Sequence, residues 1–87
     1  MKRSFHHTFR GRRYRIRWVP NMTVLGQCDH PGTPDKEILL RLGQSPAEQL
    51  DTIIHEALHA CIPEVAEEVV EETASAITNL LKRLHYI

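Results

Sequence analysis

A helix bracketed at both ends constrains this chain more than any other feature of it. Ser45-Pro46-Ala47-Glu48 is a capping box with proline at the first helical position. The serine oxygen can accept from the Glu48 amide while the Glu48 carboxylate reaches back. Leu50, Ile54, Ala57, Leu58 and Cys61 then recur at helical spacing, and Pro63 stops the run. A second helix is predicted over Glu64 to His85, striped by Val70, Thr73, Ala74, Ile77, Leu80, Leu81 and Leu84. Its acids crowd the first turns and Lys82, Arg83 and His85 the last, matching the helix dipole at both ends.

The segment before these helices reads as strands. Tyr14 to Val19 alternates, with Tyr14, Ile16 and Trp18 on one side and arginines on the other, which is the period of a half-buried strand. That alternation places the two aromatics in the core rather than against bases. Thr23 to Gln27 is a weaker strand, Cys28 to Asp35 a turn-rich loop, and Glu37 to Leu42 a third, mostly apolar strand. His6-His7 reads as flexible surface. With 87 residues there is material for one modest core. The expectation is a single α+β domain over 1–87, a small antiparallel three-stranded sheet packed on two helices. Strands and loops would occupy 1–44, and the two helices 45–87.

Composition narrows the function classes. Hydrophobic residues are 41% and charged residues 25%, which excludes a disordered chain. No apolar run approaches the ~20 residues of a membrane span, so no membrane partner is expected. The basic start runs into His6, His7, Arg10 and Arg12 where a leader would turn apolar, so the expected location is cytoplasmic. Two cysteines are too few for a disulfide scaffold. Eleven basic residues balance 11 acidic ones, which argues against a wholesale nucleic-acid binder. The charges are nonetheless segregated. Residues 1–17 hold seven bases and no acid, while Glu64, Glu67, Glu68, Glu71 and Glu72 cluster without a base. A solvated basic strand face is the plain reading; a weak nucleic-acid contact through Arg10, Arg12 and Arg13 is the other.

The chemistry sits on the first helix. His55-Glu56-Ala57-Leu58-His59 is an HExxH motif. Positions four apart lie one above the other on a helix, so both imidazoles can reach one tetrahedral ion at about 2.0–2.1 Å. Glu56 sits about 100° further round, placed to hold a water on that ion and take its proton. The helix's apolar stripe centres roughly 150° from the histidine pair, so these are not core histidines. A third ligand is needed, leaving one position open. The extension HExxHxxGxxH fails, with Ile62 at the glycine and Val65 at the third histidine. A glutamate from the second helix is the natural source. Glu67 is the choice, because it lies nearest the face of Val70, Ala74 and Ile77, while Glu68, Glu71 and Glu72 stay open. Glu71, four residues on, has the spacing of a carboxylate that could hold a ligand histidine. Cys28, Asp29, His30 and Cys61 offer a poorer alternative set without CxxC spacing.

The block Leu50-Asp-Thr-Ile-Ile-His-Glu-Ala-Leu-His-Ala60, followed by Glu67-Glu68-Val69-Val70, resembles the short zincin-like metallopeptidases of bacteria and phages, grouped with the SprT-like proteins. The likeness extends upstream to Gly26-Gln27-Cys28-Asp29-His30-Pro31 and to Glu37 through Leu42, and downstream to Leu80 through Ile87. It implies a minimal zincin fold, zinc held by His55 and His59, Glu56 as general base, and an acidic ligand at Glu67 or Glu68. It also implies an extended substrate pairing with the strand Glu37 to Leu42, against the alternative of a central, fully paired strand. Larger zincins use a histidine or tyrosine to stabilise the oxyanion; His85 and Tyr86 match by type alone. The expected activity is a zinc-dependent metallopeptidase acting on a peptide or protein. The rivals are a metal-binding module without efficient turnover, completed by a homodimer mate or other partner, and the nucleic-acid-associated protein above.

Overall fold

The computed structural model describes residues 4–87. Six elements follow in order: β1 (Ser4–Phe9), β2 (Arg12–Val19), β3 (Gly26–Cys28), β4 (Glu37–Arg41), α1 (Pro46–Cys61) and α2 (Glu67–Arg83). The class is α+β, but the sheet has four strands, not three, and is mixed rather than antiparallel. Its order is β1-β2-β4-β3, with β2 and β4 parallel and the outer pairs antiparallel.

Two physical facts account for the differences. First, His6-His7 belongs to β1, which pairs with β2 through the two-residue turn Arg10-Gly11, φ 50° and 81°. Both residues sit in the left-handed region, as a tight hairpin turn of matching twist requires. The histidines interrupt the apolar alternation of Phe5 and Phe9 and hide the strand's period. Second, the chain leaves β2, forms β3 as an outer strand and returns through β4 between them. That return makes β4 parallel to β2 and gives it a partner on each side. The strand Glu37 to Leu42 therefore has no free edge for a peptide, and the free edge beside α1 belongs to β3.

The core lies between one sheet face and α1. Tyr14, Ile16, Ile38, Leu40 and Ala60 are buried together, with Phe9, Trp18, Cys28 and Ile53 packed around them. Tyr14 is fully enclosed, and its hydroxyl donates to the Asp29 carbonyl at 3.0 Å. Burial pushes this phenol up to about 12 and the nearby Cys28 thiol up to about 11, so both stay protonated at neutral pH.

Helix α1 begins as its sequence dictates. Ser45 accepts from the Glu48 amide at 3.3 Å and Glu48 returns the bond to the Ser45 amide at 3.2 Å. At its other end the Arg10 and Arg12 guanidiniums donate to the carbonyls of Cys61 and Ala60, at 2.9 and 3.0 Å. These bonds satisfy two of the orphan carbonyls of the last turn and place cations at the negative end of the dipole.

The buried face of α1 departs from its apolar stripe. Thr52, Glu56 and Ala60 are buried, whereas Leu50, Ile54, Ala57 and Cys61 are only half-buried. The reason lies at Gly26. A Cβ there would meet Thr52 Cγ2 at 2.7 Å and Glu56 Oε2 at 2.8 Å, so a missing side chain lets β3 press against the polar row of the helix. Gly26→Ala should overpack this contact at about 1–3 kcal/mol, lowering the melting temperature by roughly 4–8 °C per kcal/mol. A thermal melt indistinguishable from wild type would refute the tightness of this contact.

Helix α2 packs against α1 through Val70, Ala74 and Thr78. Ile77, Leu80 and Leu84 of the expected stripe are exposed, because α2 finds α1 and little of the sheet. Glu64 to Ala66 forms the turn into α2 rather than its first residues. No described helix is long and apolar enough to cross a membrane.

Candidate metal centre

The start of α2 is placed over the middle of α1 by a short turn after Cys61. Ile62 donates to Leu58, Val65 to Ile62, and the amides of Val69 and Val70 converge on the Ala66 carbonyl. Ala66 has no side chain to cap the helix, so the first-turn amides and their dipole are left to favour the anionic Glu67. Glu67 is thereby delivered to the two histidines one turn apart on α1.

Three side chains meet at one point. The Nε2 atoms of His55 and His59 lie 3.2 Å apart, and each is 2.8 Å from one Glu67 oxygen. Atoms carrying lone pairs approach this closely only around a hydrogen or a cation. Tetrahedral bonds of about 2.0–2.1 Å would separate two nitrogens by about 3.3 Å, which the histidine pair already matches. Glu67 would need to withdraw by about 0.5 Å to match the same geometry. Among the described residues this is the one group of three able to hold a metal ion.

The other acidic candidates are elsewhere. Glu68, Glu71 and Glu72 are exposed, and among the described residues neither histidine is ion-paired with Glu71. Cys28, Asp29 and His30 do not converge with Cys61 on an ion. The Asp29 carboxylate accepts from the Glu37 amide at 2.9 Å, the Cys28 thiol donates to the Asp29 carbonyl, and His30 Nδ1 accepts from the Gly32 amide at 3.0 Å. Each is occupied in shaping its loop.

Glu56 is 7% exposed and borders the same cleft. Desolvation raises its pKa, with the flanking His55 and His59 pulling it down. A carboxylate held in a poorly solvated place beside two imidazoles is a stronger base than one in water. The cleft itself, about 370 Å³, is walled by Gly26, Cys28, His30, Pro31, Pro63 and the four residues just described. Ladder bonds at Leu25 and Asp29 point toward β4, so by alternation the N–H and C=O of Gly26 and Cys28 point away from it.

Sequence reasoning named His30 only in a poorer alternative ligand set and Gly26 only in the resemblance, and placed neither at the cleft of the histidine pair. The Asp29-His30-Pro31-Gly32 turn carries the local signal: its short polar side chains fold back on backbone amides and fix the loop. Gly32 donating to Nδ1 leaves neutral His30 with its proton on Nε2, free to donate. His85 and Tyr86 follow the end of α2 at Arg83, itself about 24 Å along the helix from Glu67 at 1.5 Å per residue. Both are exposed, and neither joins the site.

The fold and site define a small α+β domain with a His-His-Glu cluster at a sheet edge. Compared with family models, with curated proteins and with solved structures, the chain finds no match in any of the three. The resemblance to zincins therefore rests on the sequence motif alone.

Proposed function

We propose that the chain is a zinc-dependent metallopeptidase whose ion is held by His55, His59 and Glu67. The observation that carries this reading is the convergence of both Nε2 atoms and both Glu67 oxygens within 3.2 Å of their neighbours. Two imidazoles and a carboxylate with one side open suit zinc, and cobalt or manganese would fit the same donors. When bound, the ion supplies a Lewis acid and brings a water's pKa toward 7. Glu56 then accepts the water's proton and returns it to the departing amine nitrogen. His30 Nε2–H borders the same cleft and donates to the oxyanion that develops on the attacked carbonyl. A peptide reaches the site by pairing with the outward N–H and C=O groups of Gly26 and Cys28, adding a strand beside β3.

The test is elemental analysis followed by a hydrolysis assay on an unstructured polypeptide. After exposure to zinc and removal of the excess, one equivalent should remain per chain. Hydrolysis should stop on chelation and return with zinc. A chain that holds no zinc after this treatment refutes the reading. One that holds zinc and never cleaves, with or without a partner, is a binding module instead.

A further inference from the structure

Among the described residues, no helix or strand covers the face of the sheet turned away from α1. Strand alternation places Arg13, Arg15 and Arg17 of β2 there, beside Ser4, His6 and Thr8 of β1 and Glu37 and Leu39 of β4. An open groove of about 810 Å³ runs over this face, lined by His6, Arg13, Arg15, Arg17, Lys36 and two acids, Asp35 and Glu37. The charge is unevenly neutralised. Glu37 holds Arg17 at 2.7 Å and lies 3.8 Å from Arg15, while Arg13 forms no ion pair among the described residues and the Lys36 ammonium, at the groove's border, lies over the Tyr14 ring at 5.6 Å.

The same alternation excludes two kinds of ligand. Phe5, Phe9, Tyr14 and Trp18 all turn to the opposite face, so unstacked bases would find no aromatic platform here. A protein partner would find no exposed large apolar anchor to build an interface around, since Leu39 is half-buried. What remains is a row of cations at alternate strand positions, about 6.6–6.8 Å apart. One strand of a nucleic-acid duplex rises about 3.4 Å per phosphate but winds about the axis as it does, so neighbouring phosphates stand farther apart than that rise, at a spacing comparable to that of the arginine row. Arg10 and Arg12 take no part, because both guanidiniums are bound to the end of α1. We propose that the outer sheet face, through Arg13, Arg15 and Arg17, binds the phosphate backbone of duplex nucleic acid without reading sequence. This surface stands independently of the metal centre, which lies across α1 on the other side of the sheet.

The experiment is a fluorescence-anisotropy titration of the full chain against a labelled duplex of arbitrary sequence, over a range of salt. Three phosphate contacts predict log Kd changing with log salt at a slope of about 3. Arg13→Gln with Arg15→Gln should lower that slope by about 2 and weaken binding on the order of a hundredfold at ~50 mM salt. Glu37→Gln releases Arg17 and Arg15 and should tighten binding and steepen the slope, an effect loss of structure would not produce. Zinc content of these variants should equal that of the wild type. No binding to duplex at ~50 mM salt, binding unchanged in the double variant, or a preference for single strands or acidic peptide would each overturn the proposal.

Discussion

Glu56→Gln is expected to abolish hydrolysis while leaving zinc stoichiometry intact. The amide keeps the shape of the side chain but cannot accept a proton, so the general-base contribution, roughly 10²–10⁴-fold, is lost. Ligation should survive because the three side chains able to hold an ion are His55, His59 and Glu67. The same substitution has a second consequence in the metal-free protein. Desolvation raises the Glu56 pKa in the folded state, so its ionised form costs stability at pH values above the ordinary carboxylate range. Gln carries no such charge, and the metal-free variant should melt above metal-free wild type at pH 7. Activity surviving the substitution would end the proposed mechanism. A lower melting temperature would show instead that the carboxylate is held by favourable contacts.

His59→Ala should lose the ion altogether. Two donors remain, which cannot close a tetrahedral site against water, and zinc should wash out under conditions that leave one equivalent on the wild type. The loss is also visible thermally. A ligand present at about 1,000 times its Kd stabilises by about 4 kcal/mol, and each kcal/mol moves a domain of this size by roughly 4–8 °C. Zinc should therefore raise the wild-type melting temperature on the order of 10 °C or more and leave the variant unmoved. Equal zinc-induced shifts in both proteins would place the ion elsewhere. Glu67→Ala offers the same comparison from the other helix.

The strain between function and stability shows along α1. Its sheet-facing row is Thr52, Glu56 and Ala60, although the sequence has aliphatic residues to spare on a neighbouring stripe. Gly26 is the concession that makes this arrangement fit, since its missing Cβ leaves room for Thr52 and Glu56. Stability alone would favour an apolar row against β3. A buried carboxylate beside the His55-His59-Glu67 cluster is what the proposed use of Glu56 as a base requires.

Local chemistry was readable where it is self-contained. The capping box, Pro63 and the i, i+4 histidines depend on neighbours within a few residues, so α1, its boundaries and the paired imidazoles followed from the chain alone. Glu67 could be ranked first on the wheel of α2, but Glu68, Glu71 and Glu72 stayed open, and only the packing of α2 on α1 brings Glu67 to both histidines. The sheet was only partly readable. Strand β1 hid behind His6-His7, and the parallel pairing of β2 with β4 depends on where a loop carries the chain, which no local pattern encodes. The basic segment divided for the same reason: adjacent residues Arg12 and Arg13 point to opposite faces, one to the end of α1 and one to the open sheet.

The sequence by itself determined the histidine pair, which helix carries it and where that helix begins and ends. Tertiary structure alone decided that β3, not β4, borders the cleft, that His30 rather than His85 or Tyr86 faces it, and that Glu56 is buried. Ligating groups are chosen by side-chain chemistry and the 3.6-residue period, both written locally. Edges, clefts and burial arise only when distant segments compete for the same apolar surface.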